Sequence, residues 1–190
     1  MVYTSDQGFY LGEHGWFDKR FIYDESFKTP FIVRWPGIIA PNTKNTTMVQ
    51  NLDFAQTFLA AASVSAPEDM QGESLLPLFQ GEQEGFRDAV YYHYYEYPSV
   101  HMVKRHYGIV TEDYKLAHFY FDVDEWELYD RKNDENEMKN VYNEPAYQEV
   151  VKDLKKKLAE MRIRYKDSSE LDQQYIDKYK AIMKDKGWWN

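Results

Sequence analysis

The sequence predicts an α/β chain, in which the last part of an α/β domain is followed by a small antiparallel sheet with a covering helix. Three observations predict this class. The first is a pair of short apolar runs, which are separated by a long polar loop and followed by a helical pattern. Aromatic segments that suit strands begin near residue 86, and a strongly amphipathic stretch follows Pro145. We therefore expect three regions, namely residues 1–85, residues 86–165 and a helical tail over 166–190.

The first region alternates strand and helix patterns. Residues 1–4 (MVYT) predict the end of a buried strand, and residues 31–35 (FIVRW) predict a second strand. The segment 8–29 between them shows no clear period and predicts a long loop with a helical turn near its end. Residues 51–64 predict a helix. Asn51 is its expected N-cap, and its expected apolar stripe comprises Leu52, Ala55, Phe58, Leu59 and Ala62.

The second region predicts strands over 88–98, 106–121 and 125–130, with a hairpin turn at Glu112–Asp113 inside the middle segment. Because side chains alternate along a strand, Tyr92 and Tyr94 should face one side of the sheet while His93 and Tyr95 face the other. Pro145 opens a helix whose apolar face comprises Tyr147, Val150, Val151, Leu154, Leu158 and Met161. The tail predicts another helix, with Leu171, Tyr175, Tyr179 and Ile182 on one face.

Composition and charge exclude several classes of partner and chemistry. The formal net charge of −9 disfavours a nucleic-acid phosphate backbone as a partner. The chain has no cysteine, so it contains no disulfide, thiolate metal site or cysteine nucleophile. No run of about 18 apolar residues predicts a membrane span, and the first residues lack the basic and apolar regions of a signal peptide.

Asp6 and Gln7 are the first candidate ligands, because they directly follow the first predicted strand. With Gly8 free to turn, the carboxylate and the amide oxygen of this pair can reach one ion. Both are hard oxygen ligands that suit Ca²⁺ or Mg²⁺, whereas a zinc site would favour histidine here. The alternative is an Asx-type turn in which Asp6 bonds the backbone, and the spacing alone favours that turn.

Two residues of the following loop carry further chemistry. Lys19 offers a point charge to an anionic oxygen, and the imidazole of His14 is a candidate to donate or accept a proton. The alternative for both is a solvated loop side chain without a chemical role. A basic cluster lies later in an otherwise acidic chain and comprises His101, Lys104, Arg105 and His106. It suits an anionic ligand, although ion pairs with the chain's own acids account for it equally well.

The sequence resembles the formylglycine-dependent sulfatases of the alkaline-phosphatase-like superfamily. TSDQGFYLGEHGWFDKR (4–20) followed by TPFIVRWPG (29–37) carries the most specific likeness, because both the spacing and the order match. The likeness continues through NLDFAQTFLAAASV, MQGESLLPLFQGE, YGIVTEDYKLAHFY and ELYDRKNDENEMKNV, up to about residue 165. Within the family, the chain is most similar to bacterial glycan sulfatases of the N-acetylglucosamine-6-sulfatase or mucin-desulfating type.

The resemblance implies a role for each candidate. Asp6 and Gln7 match the ligands of a divalent cation, usually Ca²⁺ and alternatively Mg²⁺, although many relatives have His or Asn in place of Gln7. Lys19 matches the lysine that contacts the sulfate group, and His14 lies near the leaving group. The family pattern assigns no role to the remaining candidates for a sugar-facing rim, which are His93, His101, Lys104, Arg105 and His106.

The resemblance also shows which parts this sequence lacks. The family nucleophile is a formylglycine made from Cys or Ser in a C/S-x-P/A-x-R motif, and no serine here lies in such a motif. Two acidic metal ligands from the family's N-terminal part are also absent. The sequence therefore predicts the C-terminal portion of a sulfatase, inactive alone, with the formylglycine in a missing N-terminal half. A sulfated glycan or small sulfate ester is the expected substrate, and the intact enzyme is expected to be periplasmic or secreted.

Three alternatives remain open from the sequence. The chain could be a portion of a related phosphodiesterase or phosphonate hydrolase, in which similar residues handle phosphorus. It could instead be a non-catalytic module that binds an acidic glycan or a protein. The third alternative is an unstable gene fragment, whose exposed half-sheet would cause self-association.

Overall fold

The structure is a computed structural model that describes residues 1–82 and 84–188. Its strands are β1 (Val2–Thr4), β2 (Tyr10–Leu11), β3 (Phe17–Asp18), β4 (Phe31–Val33), β5 (Val90–Tyr94), β6 (His106–Val110), β7 (Tyr114–Phe119) and β8 (Glu125–Asp130). Its α-helices are α1 (Asp24–Phe27), α2 (Asp53–Ala61), α3 (Leu76–Phe79), α4 (Gln148–Arg164) and α5 (Ser169–Asp185).

The fold divides into two compact units. Unit 1 contains residues 1–7 and 29–90, and unit 2 contains residues 8–28 and the chain from residue 91 onward. The loop over 8–28 therefore belongs with the later sheet, whereas the sequence-based division placed all of 1–85 in one region. An insertion can join another unit in this way when its contacts lie with strands that are far along the sequence.

In unit 1, β1 and β4 form a two-stranded antiparallel sheet. Tyr3 pairs with Ile32 at the centre of the register, and both side chains are more than half exposed. The amino group of Met1 donates to the carbonyl of Arg34 at 2.9 Å, which extends the pairing beyond the strands. Both predicted strands of this region thus form, but the predicted burial of the first is wrong, because Val2 and Tyr3 of β1 are 40 % and 60 % exposed.

The helix predicted over 51–64 forms as α2, but the prediction of its buried face is wrong. Leu52 and Phe58 of the apolar stripe are 48 % and 56 % exposed. Leu52 is also the N-cap residue, where Asn51 was expected. The buried face is polar instead and comprises Asp53, Gln56 and Thr57.

Asp53 explains why α2 turns a polar face inward. Its carboxylate accepts both terminal nitrogens of Arg87 in a bidentate pair. It also accepts the backbone N–H groups of Gln50 at 2.7 Å and Glu73 at 2.9 Å. These four donors fix the rotation of the helix, because a buried carboxylate must keep its partners.

Unit 2 is built on a four-stranded sheet with the strand order β5-β6-β7-β8. The predicted hairpin at 112–113 is confirmed, since Thr111 N–H donates to the carbonyl of Tyr114 at 2.8 Å. Ile109 on β6, Leu116 on β7 and Leu128 on β8 are fully buried. The sheet therefore forms from strands that are consecutive in the sequence, and its buried side chains form the main core of this unit.

The two predicted faces of β5 are confirmed. The ring of Tyr94 lies 5.7 Å from that of His106, and Tyr92 lies on the same side at 5.6 Å. His93 and Tyr95 stack with centroids 3.7 Å apart on the opposite side. The alternation of a strand thus separates two aromatic clusters.

The helix after Pro145 is also confirmed as α4. Its buried residues are Val151, Leu154, Leu158 and Met161, all of which belong to the predicted face. Ile182 is exposed, but Leu171, Tyr175 and Tyr179 of the predicted face are half-buried on the tail helix α5, which forms as expected. Its buried residues are Asp172, Ile176 and Met183, because Asp172 is drawn inward by Arg162 at 3.0 Å.

No helix in the described part of the chain is both long and apolar enough to cross a bilayer.

Candidate active-site segments

Asp6 and Gln7 lie directly after β1 in unit 1, and both are exposed. The hydroxyl of Ser5 donates to the carbonyl of Gln7 at 3.5 Å and bends the chain there. The donor set fits a hard divalent cation, because a carboxylate and an amide oxygen are oxygen ligands of the kind that Ca²⁺ and Mg²⁺ prefer. Two side chains supply only part of the six to eight oxygens, roughly, that Ca²⁺ takes.

His14 lies in a tight turn of unit 2 and is held by one aromatic neighbour and one acidic neighbour. Its backbone adopts φ 52°, in the left-handed region. Its ring stacks on Tyr23 with centroids 4.3 Å apart and planes 13° apart. Nε2 lies 3.4 Å from the carboxylate of Glu25, and only 11 % of the side chain is exposed. The imidazole is thus fixed in orientation rather than solvated.

Lys19 is half-buried and lies between two residues with unusual backbone angles. Asp18 has φ 94° and Arg20 has φ 99°, which side chains with a Cβ rarely adopt. The Arg20 N–H donates to the hydroxyl of Ser26 at 3.0 Å, and the Arg20 carbonyl accepts from Tyr92 at 2.7 Å. Strain of this kind persists only where surrounding contacts determine the conformation, and it clusters at functional sites.

A polar cluster in unit 2 joins Asp18 and Arg20, which flank Lys19 in sequence, with His101. Arg20 donates to the Asp18 carboxylate and, at 2.9 Å, to Nε2 of His101. His101 Nδ1 lies 3.4 Å from Asp18, and 35 % of its side chain is exposed. His101 thus keeps an accessible surface and contacts both residues that flank Lys19 in sequence. Neither Asp18 nor Arg20 was predicted as a site residue from the sequence, although both carry a charge and flank Lys19.

Lys104 is the other rim candidate that reaches the surface. Its ammonium pairs with the carboxylate of Asp122 and also contacts the hydroxyl of Tyr97 at 3.2 Å. The side chain is 40 % exposed. The alternative reading of this cluster, in which its cations pair with the chain's own acids, therefore describes Lys104 in this structure.

Arg105 and His106 lie in the interior, so the predicted rim does not include them in this structure. Both are fully buried. Arg105 donates through Nε to the carbonyl of Tyr97. His106 donates from Nδ1 to the carbonyl of Lys104 at 2.8 Å, and burial lowers its pKa to about 4. A neutral imidazole at pH 7 follows.

The side chain of His93 is only 3 % exposed and lies within a cluster of charged groups. Nδ1 lies 2.9 Å from Asp167, and Nε2 lies 3.2 Å from Asp172. These three residues could hold a metal ion by their spacing. Arg162 already donates to the carboxylates of Asp167 and Asp172 at 3.0 Å. The hydroxyl of Tyr120 lies 2.6 Å from Nε2 of His93. The cluster is therefore an ion-pair network that joins α4, α5 and β5 rather than a second cation site.

Comparison with known proteins identifies the family. Residues 12–164 match the family described as N-sulphoglucosamine sulphohydrolase, C-terminal. The chain belongs to this sulfatase family. The sulfatase match includes the loop with His14 and Lys19 and all four strands of the larger sheet, so the resemblance read from the sequence is confirmed.

Individual sulfatases show the same likeness. The chain is 52 % identical over 171 residues to an N-acetylglucosamine-6-O-sulfatase of Bacteroides thetaiotaomicron, covering 88 % of this chain and 31 % of that protein. It is 29 % identical over 159 residues to an arylsulfatase of Clostridium perfringens, covering 82 % of this chain and 32 % of that protein. The chain thus spans about a third of the length of the sulfatases that it matches.

A solved structure supports the fold. A protein in complex with its substrate D-glucosamine-2-N,6-O-disulfate superposes with a TM-score of 0.85 and 51 % identity. The superposition covers 88 % of this chain and 35 % of that chain. The predicted class is therefore confirmed, namely the C-terminal part of an alkaline-phosphatase-like α/β domain followed by a small antiparallel sheet with a covering helix.

Proposed function

We propose that this chain is the C-terminal portion of a glycan sulfatase that hydrolyses a sulfate monoester on a glucosamine-type sugar. The sulfatase match across residues 12–164 is the observation that carries the proposal. The substrate class is supported by the relative named as an N-acetylglucosamine-6-O-sulfatase and by the solved complex with a disulfated glucosamine.

Each candidate residue has a distinct task in the proposed reaction. Asp6 and Gln7 would hold a divalent cation, which supplies electrostatic stabilisation to the sulfate oxygens when it is bound. Lys19 donates to a sulfate oxygen and stabilises the charge that develops on it. His14, fixed against Tyr23, donates a proton to the oxygen of the leaving alcohol as the S–O bond breaks.

His101 and Arg20 are proposed to contact the sugar. His101 has an accessible surface, and Arg20 fixes its ring from one side at 2.9 Å. A ring and a guanidinium held in this way present directed donors and acceptors to sugar hydroxyls without first having to become ordered. Lys104 is a weaker candidate, because Asp122 already pairs with it.

A chimeric enzyme tests the proposal. This chain replaces the corresponding C-terminal third of the Bacteroides thetaiotaomicron relative, and sulfate release from N-acetylglucosamine-6-sulfate is measured. We expect turnover, and we expect Lys19→Met to reduce kcat/KM by about 100-fold or more, because one preorganised charge on the sulfate is lost. The matched control is Lys44→Met, which removes an exposed lysine and should leave the rate within about twofold of the parent. Equal rates for the two variants would contradict the role of Lys19.

The isolated chain should not turn over sulfate esters. It contains no cysteine, and none of its serines lies in a formylglycine motif, so the activated nucleophile is missing. Sulfate release from aryl or glycan sulfates by the purified 190-residue chain should stay at the buffer background. Turnover above background that tracks the chain through purification would refute this prediction.

A further inference from the structure

The loop over residues 8–28 is attached to the sheet of unit 2 by a buried group of charged side chains. We call this group the Asp24 clasp, and it comprises Asp24, Lys115, Arg131 and Glu137. Lys115 on β7 is fully buried and donates to Asp24 Oδ1 at 2.7 Å and to Glu137 Oε2 at 2.8 Å. A buried ammonium requires such partners, because its desolvation is otherwise very unfavourable.

The clasp holds Asp24 from several directions. Its backbone N–H donates to Glu137 Oε2 at 2.9 Å, and its carboxylate accepts from Arg131 at 3.1 Å. Burial alone would raise the pKa of Asp24, but Lys115 and Arg131 hold it well below its ordinary value. Asp24 is therefore ionised at neutral pH, and α1 begins at a fixed point on the sheet.

A second attachment lies beside the clasp and leads to His14. The hydroxyl of Tyr23 donates to Glu127 on β8 at 2.7 Å. The ring of Tyr23 then stacks on His14, and Glu25 lies 3.4 Å from the same imidazole. Both neighbours that orient His14 are therefore residues adjacent to Asp24 in sequence.

The other end of α1 holds the backbone next to Lys19. Ser26 is almost completely buried, and its hydroxyl accepts from the Arg20 N–H at 3.0 Å. Its carbonyl accepts from the Gly8 N–H at 2.9 Å. A Cβ at Gly8 would lie 1.9 Å from the carbonyl oxygen of Glu25, so only glycine permits this approach. The strained turn around Lys19 thus depends on where α1 lies.

We infer that the Asp24 clasp is a positioning device, through which Lys115 on β7 and Glu137 in the segment after β8 set the geometry of Lys19 and His14. Its four residues act on Lys19 through α1, whose Ser26 holds the Arg20 N–H. This inference rests on the proposed role of Lys19 in sulfate binding. A buried ionic group suits such a task, because it specifies one arrangement more strongly than it stabilises the fold.

Two variants of the 190-residue chain test the inference. Asp24→Ala removes the loop side of the clasp, and Lys115→Met removes the sheet side while keeping side-chain length. The matched control is Lys132→Met, which breaks the exposed pair with Asp113 on the same sheet. Amide hydrogen exchange is followed residue by residue, and the ring-current shift of His14 is followed by NMR as a signature of its stacking on Tyr23.

We expect exchange over residues 8–28 to accelerate on the order of 100-fold in Asp24→Ala, because a buried charge group loses a member. Amides of β6–β8 should keep their protection within about threefold, and the ring-current shift of His14 should collapse. Lys115→Met should give the same pattern. Because Lys115 lies in the core, that variant could fail to fold; Asp24→Ala, on the loop, decides the matter in that case.

Two results would overturn the inference. The first is wild-type protection of residues 8–28 together with an unchanged His14 shift in Asp24→Ala. The second is an equal loss of protection in the loop and in β6–β8, which would indicate general destabilisation. Failure of the chimera to release sulfate would remove the proposed function but would not alter the exchange pattern, so the two failures are distinguishable.

Discussion

At the scale of single residues, burial decides which polar side chains remain available for chemistry. His101 and His106 lie five positions apart in one basic cluster, yet His101 is one third exposed and His106 is fully buried. The ring of His106 stacks between aromatic neighbours, with Phe119 at 4.9 Å and Phe21 at 5.5 Å. His106 therefore serves the core and adds a pH dependence to stability.

The stability of unit 2 should fall between pH 7 and pH 4.5 partly because of His106. Burial lowers the folded-state pKa to about 4, below the unfolded value of about 6.5, so only the unfolded state gains this proton as the pH falls through that window. His106→Phe keeps an aromatic ring and removes the titration. The loss of unfolding free energy between pH 7 and pH 4.5, measured by urea denaturation, should be smaller in this variant by about 2 kcal/mol.

Ile109→Val is the matched control for this pH dependence, because it changes a fully buried side chain on the same strand and removes no titratable group. It should retain the wild-type difference between the two pH values. A wild-type difference in His106→Phe as well would show that other groups cause the loss.

At the scale of elements, amphipathic period predicts a helix reliably, but it predicts the buried face only when the partner surface is apolar. The buried face of α4 was predicted correctly, because its apolar residues Val151, Leu154 and Leu158 are buried where the helix packs on β6 and β7. The face of α2 was predicted wrongly because Asp53, with Arg87 as its partner, turns inward. A buried ion pair therefore overrides the hydrophobic period in that helix.

Two substitutions in α4 separate its buried face from its exposed face. Leu158 is 2 % exposed, and Leu158→Ala should lower the free energy of unfolding by about 2 to 5 kcal/mol through lost burial and a cavity. Ile163 is 78 % exposed, and Ile163→Ala should change it by less than about 0.5 kcal/mol. Urea denaturation measures both, and similar losses would show that α4 does not pack as described.

At the scale of the whole molecule, unit 1 presents an unusual amount of apolar surface. Tyr3 and Ile32 on the paired strands and Phe58 on α2 are each more than half exposed. An apolar groove of about 360 Å³ lies among β1, β4 and α2 and is lined mainly by aromatic and aliphatic side chains. Such surfaces favour association with other chains.

The isolated chain should therefore self-associate, and Phe58→Lys should reduce this. Sedimentation velocity should show oligomers of the parent chain, and their dissociation constant should rise by about tenfold or more in the variant, because a large apolar contact is replaced by a charge. Ile163→Lys adds the same charge at an exposed site of unit 2 and should not change the dissociation constant. Equal effects of both substitutions would point to net charge rather than to the apolar surface.

Local sequence patterns were sufficient for the order of the elements, the 112–113 hairpin and the helix after Pro145, because each depends on residues that are close in the chain. The same patterns located Asp6, Gln7, His14 and Lys19, whose order and spacing carry the family likeness. They could not show that the loop over 8–28 joins the later sheet, or that the side chains of His93, Arg105 and His106 are buried. Those outcomes depend on partners such as Lys115 and Glu137, which meet Asp24 from 91 and 113 positions away. A local period carries no information about pairings at that distance, so they are defined only when the chain has folded.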